Sequence, residues 1–319
     1  TAIGWQRRSC GAVSYRPLDV DLSGRVALVT GANSGMGKET ARELARIGAE
    51  VILACRSMQR GEVARAEIME STGATAVSVI DVDLSSPASV HTFAAAFHER
   101  FAKLDVLVNN AAASVPTREI TPEGFERHWA TNVLGPYLLT TLLIPRLLAG
   151  GRGRIVTVST RAAGGLDLSD IQYERRRYSA TRAYRASKQA SRMLTWALAD
   201  ELRDKPVTAN AVNPGYVLTP LTTNTTGPLK LLIALTRFAA QSPLDGADTA
   251  LWAAASPELE GVTSKFWTKR HEIPCGFRDS AEIQKLRAIV DEQLAQTTGA
   301  RTSLFDCATT SELPTRSTQ

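Results

Sequence analysis

Short apolar runs recur along this chain at intervals long enough to hold a helix. Residues 25–30 (RVALVT), 50–55 (EVILAC), 76–81 (AVSVID), 104–109 (LDVLVN), 154–159 (RIVTVS) and 207–212 (VTANAV) are rich in Val, Ile and Ala. Their shortness and β-branching predict strands. Between them, 38–47, 87–101 and 184–202 predict helices. Strands that are apolar along their whole length are covered on both faces, the mark of a parallel sheet between helix layers. Right-handed crossovers then give an α/β fold, a Rossmann-type doubly wound sheet that binds ligands beyond the C-terminal ends of its strands.

Residues 265–268 predict a last strand. Residues 280–294 predict an amphipathic helix with Ile283, Leu286, Ile289, Val290 and Leu294 on one side. The organisation expected is a single domain with extensions. Residues 1–22 form an arm on the outside, and residues 23–275 the α/β unit that would hold the ligand crevice. Residues 276–319 form a C-terminal helix followed by a Ser/Thr-rich tail that frays. Within the central unit, the apolar stretch 229–240, broken by Lys230 and Arg237, predicts a helix that lids a pocket at about 220–245.

Composition narrows the class. A hydrophobic fraction of 44% and a charged fraction of 22% over 319 residues suit a globular domain, not a disordered one. The net charge of +5 comes from 37 Lys and Arg against 32 acidic residues. Nucleic-acid binding would call for a concentrated basic face, and none is evident. Cys10, Cys55, Cys275 and Cys307 form no C-x-x-C pair, so neither a metal site nor a disulfide framework is expected. No apolar run reaches the ~20 residues of a membrane span, and the first residues lack the apolar core of a signal peptide. A cytoplasmic protein without a membrane span is expected.

Gly31, Asn33, Ser34, Gly35, Met36 and Gly37 lie in the segment TGANSGMG, after the first strand and at the opening of a helix. Glycines belong there because a pyrophosphate must approach the backbone closely, and the helix N-terminus supplies amide donors. The T-G-x-x-x-G-x-G spacing resembles that of the short-chain dehydrogenase/reductase family, and the resemblance extends over about residues 23–270. It implies a nicotinamide cofactor. At the end of the second strand, where NAD enzymes carry an acid for the ribose hydroxyls, this chain has Cys55 followed by Arg56. An acid there would repel a 2′-phosphate, whereas Arg56 could clamp it. NADP(H) is therefore expected over NAD(H), although no basic residue stands at Asn33 or Ser34 as a second contact. Asp83, with Leu84, resembles the family's adenine-contacting position, and Asn110 with Ala111 its N-N-A-G segment, here ending in Ala112. Pro214, Gly215, Val217 and Thr219 resemble the P-G-x-V-x-T loop that holds the carboxamide.

Tyr184 and Lys188, in YRASK, stand four positions apart and so share one helical face. Such a pair suits carbonyl reduction, in which oxygen takes a proton as hydride reaches carbon. Lowering a phenol by ~3 units needs roughly 4 kcal/mol, about what an ammonium ~4 Å away provides at an effective dielectric of ~20. A lowered Tyr184 is the expectation. The resemblance implies that Lys188 also binds the nicotinamide ribose and that Asn132 orders a water leading to the lysine. The family's serine pair is here Ser159 and Thr160, which puts Thr160 in the role of orienting the carbonyl. Ser159 is the alternative.

The stretch 161–183 is long for the family and carries Arg161, Arg175, Arg176 and Arg177, with Arg182 and Arg185 close behind. A solvated loop is favoured over a basic gate for acidic substrates. Together with the glycine segment and Arg56, the long spacing resembles the retinol-dehydrogenase-like branch. The function expected is hydride transfer between NADP(H) and a largely apolar ketone, aldehyde or secondary alcohol. The alternative is a protein of the same fold that senses NADP(H) with little turnover. The family also implies a homodimer through the helix after Asn132 and the helix carrying Tyr184.

Overall fold

The computed structural model describes residues 15–217 and 241–298. Their strands form one eight-stranded sheet: β1 (Val26–Thr30), β2 (Glu50–Cys55), β3 (Val77–Asp81), β4 (Val106–Asn109), β5 (Gly153–Val158), β6 (Val207–Asn213), β7 (Phe266–Thr268) and β8 (His271–Glu272). The order is β3-β2-β1-β4-β5-β6-β7-β8. All neighbours are parallel except β7 and β8, which pair antiparallel. The connections reverse direction beside β1, between β2 and β4, and that reversal opens the crevice in which doubly wound sheets hold ligands.

Successive strand residues point to opposite faces, and each face has its own core. Leu28, Ile52, Leu107 and Ile155 face one layer: α3 (Pro87–Arg100), α5 (Gly135–Ala149) and α6 (Ala180–Glu201). Their neighbours Val29, Leu53, Val108 and Val156 face α1 (Gly35–Arg46), α2 (Met58–Thr72) and a helix at Pro243–Ala255. Each such aliphatic side chain, removed from water, contributes roughly 1.5–3 kcal/mol.

The single turn α4 (Arg127–Trp129) runs through a π turn, Ala130–Leu134, into α5. Among the described residues, the stretch Arg127–Ala149 is long and apolar enough to cross a membrane by length and composition, a test that buried core helices also pass. Two-thirds of its apolar window is buried inside the protein, where it packs in the core.

Helix α7 (Pro243–Ala255) and helix α8 (Ser280–Thr298) complete the set. Ile283, Leu286, Val290 and Leu294 of α8 are buried against α6 and α3, on the side expected from their spacing. Polar contacts fix it further: Trp129 donates to Gln293 at 2.8 Å, and Arg287 pairs with Glu201 at 3.0 Å. Tyr15, Leu18, Val20 and Leu22 pack on the α1 side of the core. Residues 1–14, residues 218–240 with most of the lid expected at about 220–245, and the tail from 299 lie outside the described residues.

Candidate active site

Beyond the C-terminal ends of β1, β2 and β4 lies a groove of about 510 Å³. Gly31, Asn33, Ser34, Gly35, Met36 and Gly37 line it, as do Arg56, Asp83, Leu84, Asn110 and Ala111. The sequence reading thus brought eleven residues from four segments to one place. Helix α1 starts at Gly35, earlier than the expected 38, so the glycine segment is itself the first turn. Its N-cap Ser34 makes no side-chain cap, and the first turn holds no acidic residue. Its amides are not claimed by a capping side chain, which leaves them available to an anion. The loop needs glycine for close approach: a Cβ on Gly37 would lie 2.4 Å from Asn110 Nδ2 and 2.5 Å from the Gly31 carbonyl oxygen. Asn110 belongs to the same joint, because its Nδ2 donates to the Thr30 carbonyl at 2.8 Å. These features fit a dinucleotide.

At the end of β2, Arg56 is exposed and makes no hydrogen bond or ion pair among the described residues. Arg60, on the first turn of α2, lines the same groove, and its guanidinium is likewise free of partners there. Sequence reasoning missed Arg60. The spacing of four from Arg56 into a helix start was the available signal. Asp83 accepts from the Ser85 amide at 2.9 Å and hydroxyl at 2.6 Å, which fixes the turn after β3. At the other side Pro214, Gly215 and Val217 follow β6, and Val217 bridges to Gln241. Thr219 lies outside the described residues.

Tyr184 stands in the second turn of α6, half-buried, with its phenol free of hydrogen bonds among the described residues. Lys188, 4% exposed, donates from Nζ to the Val158 carbonyl at 2.9 Å. That ammonium lies 5.9 Å from the centroid of the Tyr184 ring. Burial pushes the Tyr184 phenol up to about 12 and the Lys188 ammonium down to about 8. The lowered phenol expected from the spacing is therefore not what the protein alone produces. Taking each group out of water disfavours its charged form, and that is the cause of both shifts.

Asn132 sits in the π turn, a distortion common at functional sites. Its Oδ1 accepts from the Ala113 amide at 2.6 Å, and its Nδ2 donates to the Ala113 carbonyl at 3.1 Å and the Ser187 hydroxyl at 3.0 Å. It thus ties the groove wall to α6. A cavity of about 20 Å³ lies beside it, lined by Asn109, Lys188 and Ser191 among others. That is room for one water.

Ser159 is buried and donates to the Lys188 carbonyl at 3.3 Å. Thr160 is half-buried, and its hydroxyl accepts from the Ala162 amide at 3.2 Å. No described residue takes the Thr160 hydroxyl proton. Of the two, Thr160 keeps a donor to offer.

The arginine-bearing stretch is folded on itself. Arg176 pairs with Asp170 at 3.0 Å and Asp167 at 3.3 Å, and lies 4.6 Å over the Tyr173 ring. Arg175 donates to Ser169, and Arg185 to the Ala162 carbonyl at 2.6 Å. Arg161, Arg177 and Arg182 are exposed. The stretch also contributes Tyr178 to a buried cluster with Glu126 and His128 beside Tyr184, which no sequence motif announced.

The fold, the groove and the tyrosine–lysine pair define a nicotinamide-dependent oxidoreductase acting on alcohol and carbonyl groups, and residues 25–229 match the family described as short chain dehydrogenase. The chain belongs to that family, in its retinol-dehydrogenase-like branch. It is 40% identical to retinol dehydrogenase 12 of Mus musculus over 275 residues, covering 84% of this chain and 85% of that protein. Polyprenol dehydrogenase of Mus musculus is 39% identical over 280 residues, covering 85% and 80%. Among solved structures, L-sorbose reductase from Gluconobacter frateurii, complexed with NADPH and L-sorbose, is similar with a TM-score of 0.63 and 25% identity, covering 78% of this chain and 96% of that one.

Proposed function

We propose that this protein is an NADP(H)-dependent oxidoreductase that interconverts an apolar alcohol and its carbonyl compound, with Tyr184 as general acid/base. The observation that carries the cofactor preference is the pair Arg56 and Arg60, two guanidinium groups on one groove wall without a carboxylate partner. A 2′-phosphate would satisfy both, and a plain ribose neither.

The bound nicotinamide supplies or accepts the hydride. The amides of the turn from Gly31 to Gly37 hold the pyrophosphate, with Asn33, Ser34, Gly35 and Met36 around it. Asp83 and Leu84 flank the adenine, and Asn110 and Ala111 the ribose on the nicotinamide side. Pro214, Gly215, Val217 and Thr219 serve the carboxamide. In reduction Tyr184 donates its proton to the carbonyl oxygen, and Thr160 donates a hydrogen bond to the same oxygen. Lys188 stabilises the phenolate left behind and binds the ribose hydroxyls. Asn132 holds the groove wall against α6, beside the cavity that would lodge a relay water. Residues 23–275 are the unit that carries all of these roles. A homodimer through α5 and α6 would have to include α8, which packs on α6.

The relatives named for retinol and polyprenol support a substrate with a long apolar body. Nothing in the site favours the sensor reading. The test is oxidation of NADPH and NADH with retinal, a polyprenyl aldehyde and L-sorbose. The expected result is turnover of an apolar aldehyde with NADPH at least about tenfold better than with NADH, as one to two charge-assisted contacts would give. Tight NADPH binding with no turnover of any carbonyl, or equal use of NADH, would overturn the reading. Tyr184→Phe should lower kcat/KM by about 10²–10⁴ while leaving cofactor affinity nearly unchanged.

A further inference from the structure

Behind Tyr184 lies a polar cluster that none of the roles above uses. His128 is fully buried and Glu126 is 1% exposed. His128 Nδ1 lies 2.8 Å from Glu126 Oε1, and its Nε2 accepts the Val115 amide at 3.2 Å. An amide can only donate, so Nε2 is the bare nitrogen and Nδ1 carries the proton to the carboxylate. Glu126 also accepts from the Trp129 amide at 2.9 Å and the Tyr178 hydroxyl at 3.2 Å. The cluster is closed, with every member of the imidazole–carboxylate pair satisfied.

Its two outward contacts both reach the site. Val115 lines the groove together with Ala111, Ala112, Ala113 and Ser114. Asn132 grips this wall at Ala113, and His128, one helical turn earlier, grips it at Val115. The His128 ring also meets the Tyr184 ring edge-on, with centroids 6.4 Å apart.

We propose that His128 is a positioning residue for the hydride-transfer reaction, fixing the groove wall at Val115 and backing the ring of the acid/base Tyr184. Tyr178 and Glu126 lock its tautomer, which links the long stretch before α6 to the geometry of catalysis. The inference rests on the oxidoreductase reading for its catalytic half. Its cofactor half stands on binding alone.

Two variants separate the contacts. His128→Gln can still offer an acceptor to Val115 but loses the ring beside Tyr184. His128→Phe keeps a ring there but leaves the Val115 amide without a partner and takes from Glu126 one of its three, the Trp129 amide and the Tyr178 hydroxyl remaining. NADPH dissociation is read by quenching of protein fluorescence, and kcat and KM from NADPH oxidation with the best aldehyde. For His128→Gln we expect NADPH affinity within about twofold of the parent and kcat lowered roughly tenfold. For His128→Phe we expect affinity weakened roughly tenfold, as loss of a buried hydrogen bond gives. Should His128→Phe fail to fold, His128→Gln and Tyr178→Phe decide the matter, the latter with kcat lowered a few-fold at unchanged NADPH affinity. Variants that melt earlier yet keep the parent's kcat and NADPH affinity would overturn the proposal, as would equal losses in both quantities for His128→Gln. If the parent binds NADPH but reduces nothing, the oxidoreductase reading fails while the affinities of the variants still test the Val115 contact.

Discussion

Lys188 and Tyr184 share one face of α6, with the ammonium 5.9 Å from the centroid of the phenol ring. Burial drives each toward its neutral form, the phenol up to about 12 and the ammonium down to about 8. The free protein therefore holds a protonated phenol beside a lysine that is mostly charged only below about pH 8. Four expectations follow from this pair and from the groove beside it.

The first concerns pH. Lys188 must be charged to stabilise a phenolate, and in the free protein it loses its proton near pH 8. The kcat/KM for carbonyl reduction reports groups of the free enzyme, so it should fall by about tenfold per pH unit above that point. A profile that stays flat from pH 7 to pH 10 would remove Lys188 from this role.

Stability should move the opposite way when the lysine is removed. The unfolded lysine titrates near 10.5 and the folded one near 8, so between those values the unfolded chain binds more protons and stability rises with pH. Below pH 8 the penalty is fully present, on the order of 3 kcal/mol. Lys188→Met should therefore be inactive yet more resistant to urea at pH 7. Its advantage should shrink toward pH 10. Equal urea midpoints at pH 7 would show that the bond to Val158 offsets the burial.

Arg56→Ala and Arg60→Ala should each weaken NADPH binding by about 10- to 100-fold, the range for a lost charge-assisted bond. NADH binding should barely change. Arg56→Asp should go further and favour NADH, since a carboxylate repels the phosphate and accepts ribose hydroxyls. Titration of both cofactors against the variants checks this directly.

Thr160 and Ser159 can be told apart by their hydroxyls. Thr160→Ser should keep activity within a few-fold, whereas Thr160→Ala should lower kcat by about 10²–10³ if this donor is aimed at the reacting oxygen. Ser159→Ala should mainly lower the melting temperature, because its hydroxyl is engaged with the Lys188 carbonyl. Reversed effects would assign the role to Ser159.

Much of this architecture was legible as local pattern. Strands such as β2 and β5 are short apolar runs, and TGANSGMG and YRASK carry their chemistry in the spacing of a few neighbours. Helix α2 was harder to see because it buries only Gly61, Ala64 and Ile68, and α5 because it is apolar almost all round. The desolvation of the Tyr184–Lys188 pair was not legible. The spacing of Tyr184 and Lys188 announces that they meet, but only the packing of α6 decides which way their protonation moves. The Glu126–His128–Tyr178 cluster was equally hidden, since Tyr178 arrives from a stretch whose arginines drew attention first. Three of those six arginines, Arg175, Arg176 and Arg185, proved to be internal braces, while Arg161, Arg177 and Arg182 are exposed.

Helix α8 has a consequence for how copies of this chain could meet. By lying along α6 with Leu286 and Val290 turned inward, it sheathes the flank of the catalytic helix in the chain's own C-terminal segment. A neighbouring copy approaching from that flank would encounter the exposed Gln284, Lys285 and Ala288 of α8 before any residue of α6. The scaffold beneath Tyr184 is thereby buttressed from within a single polypeptide.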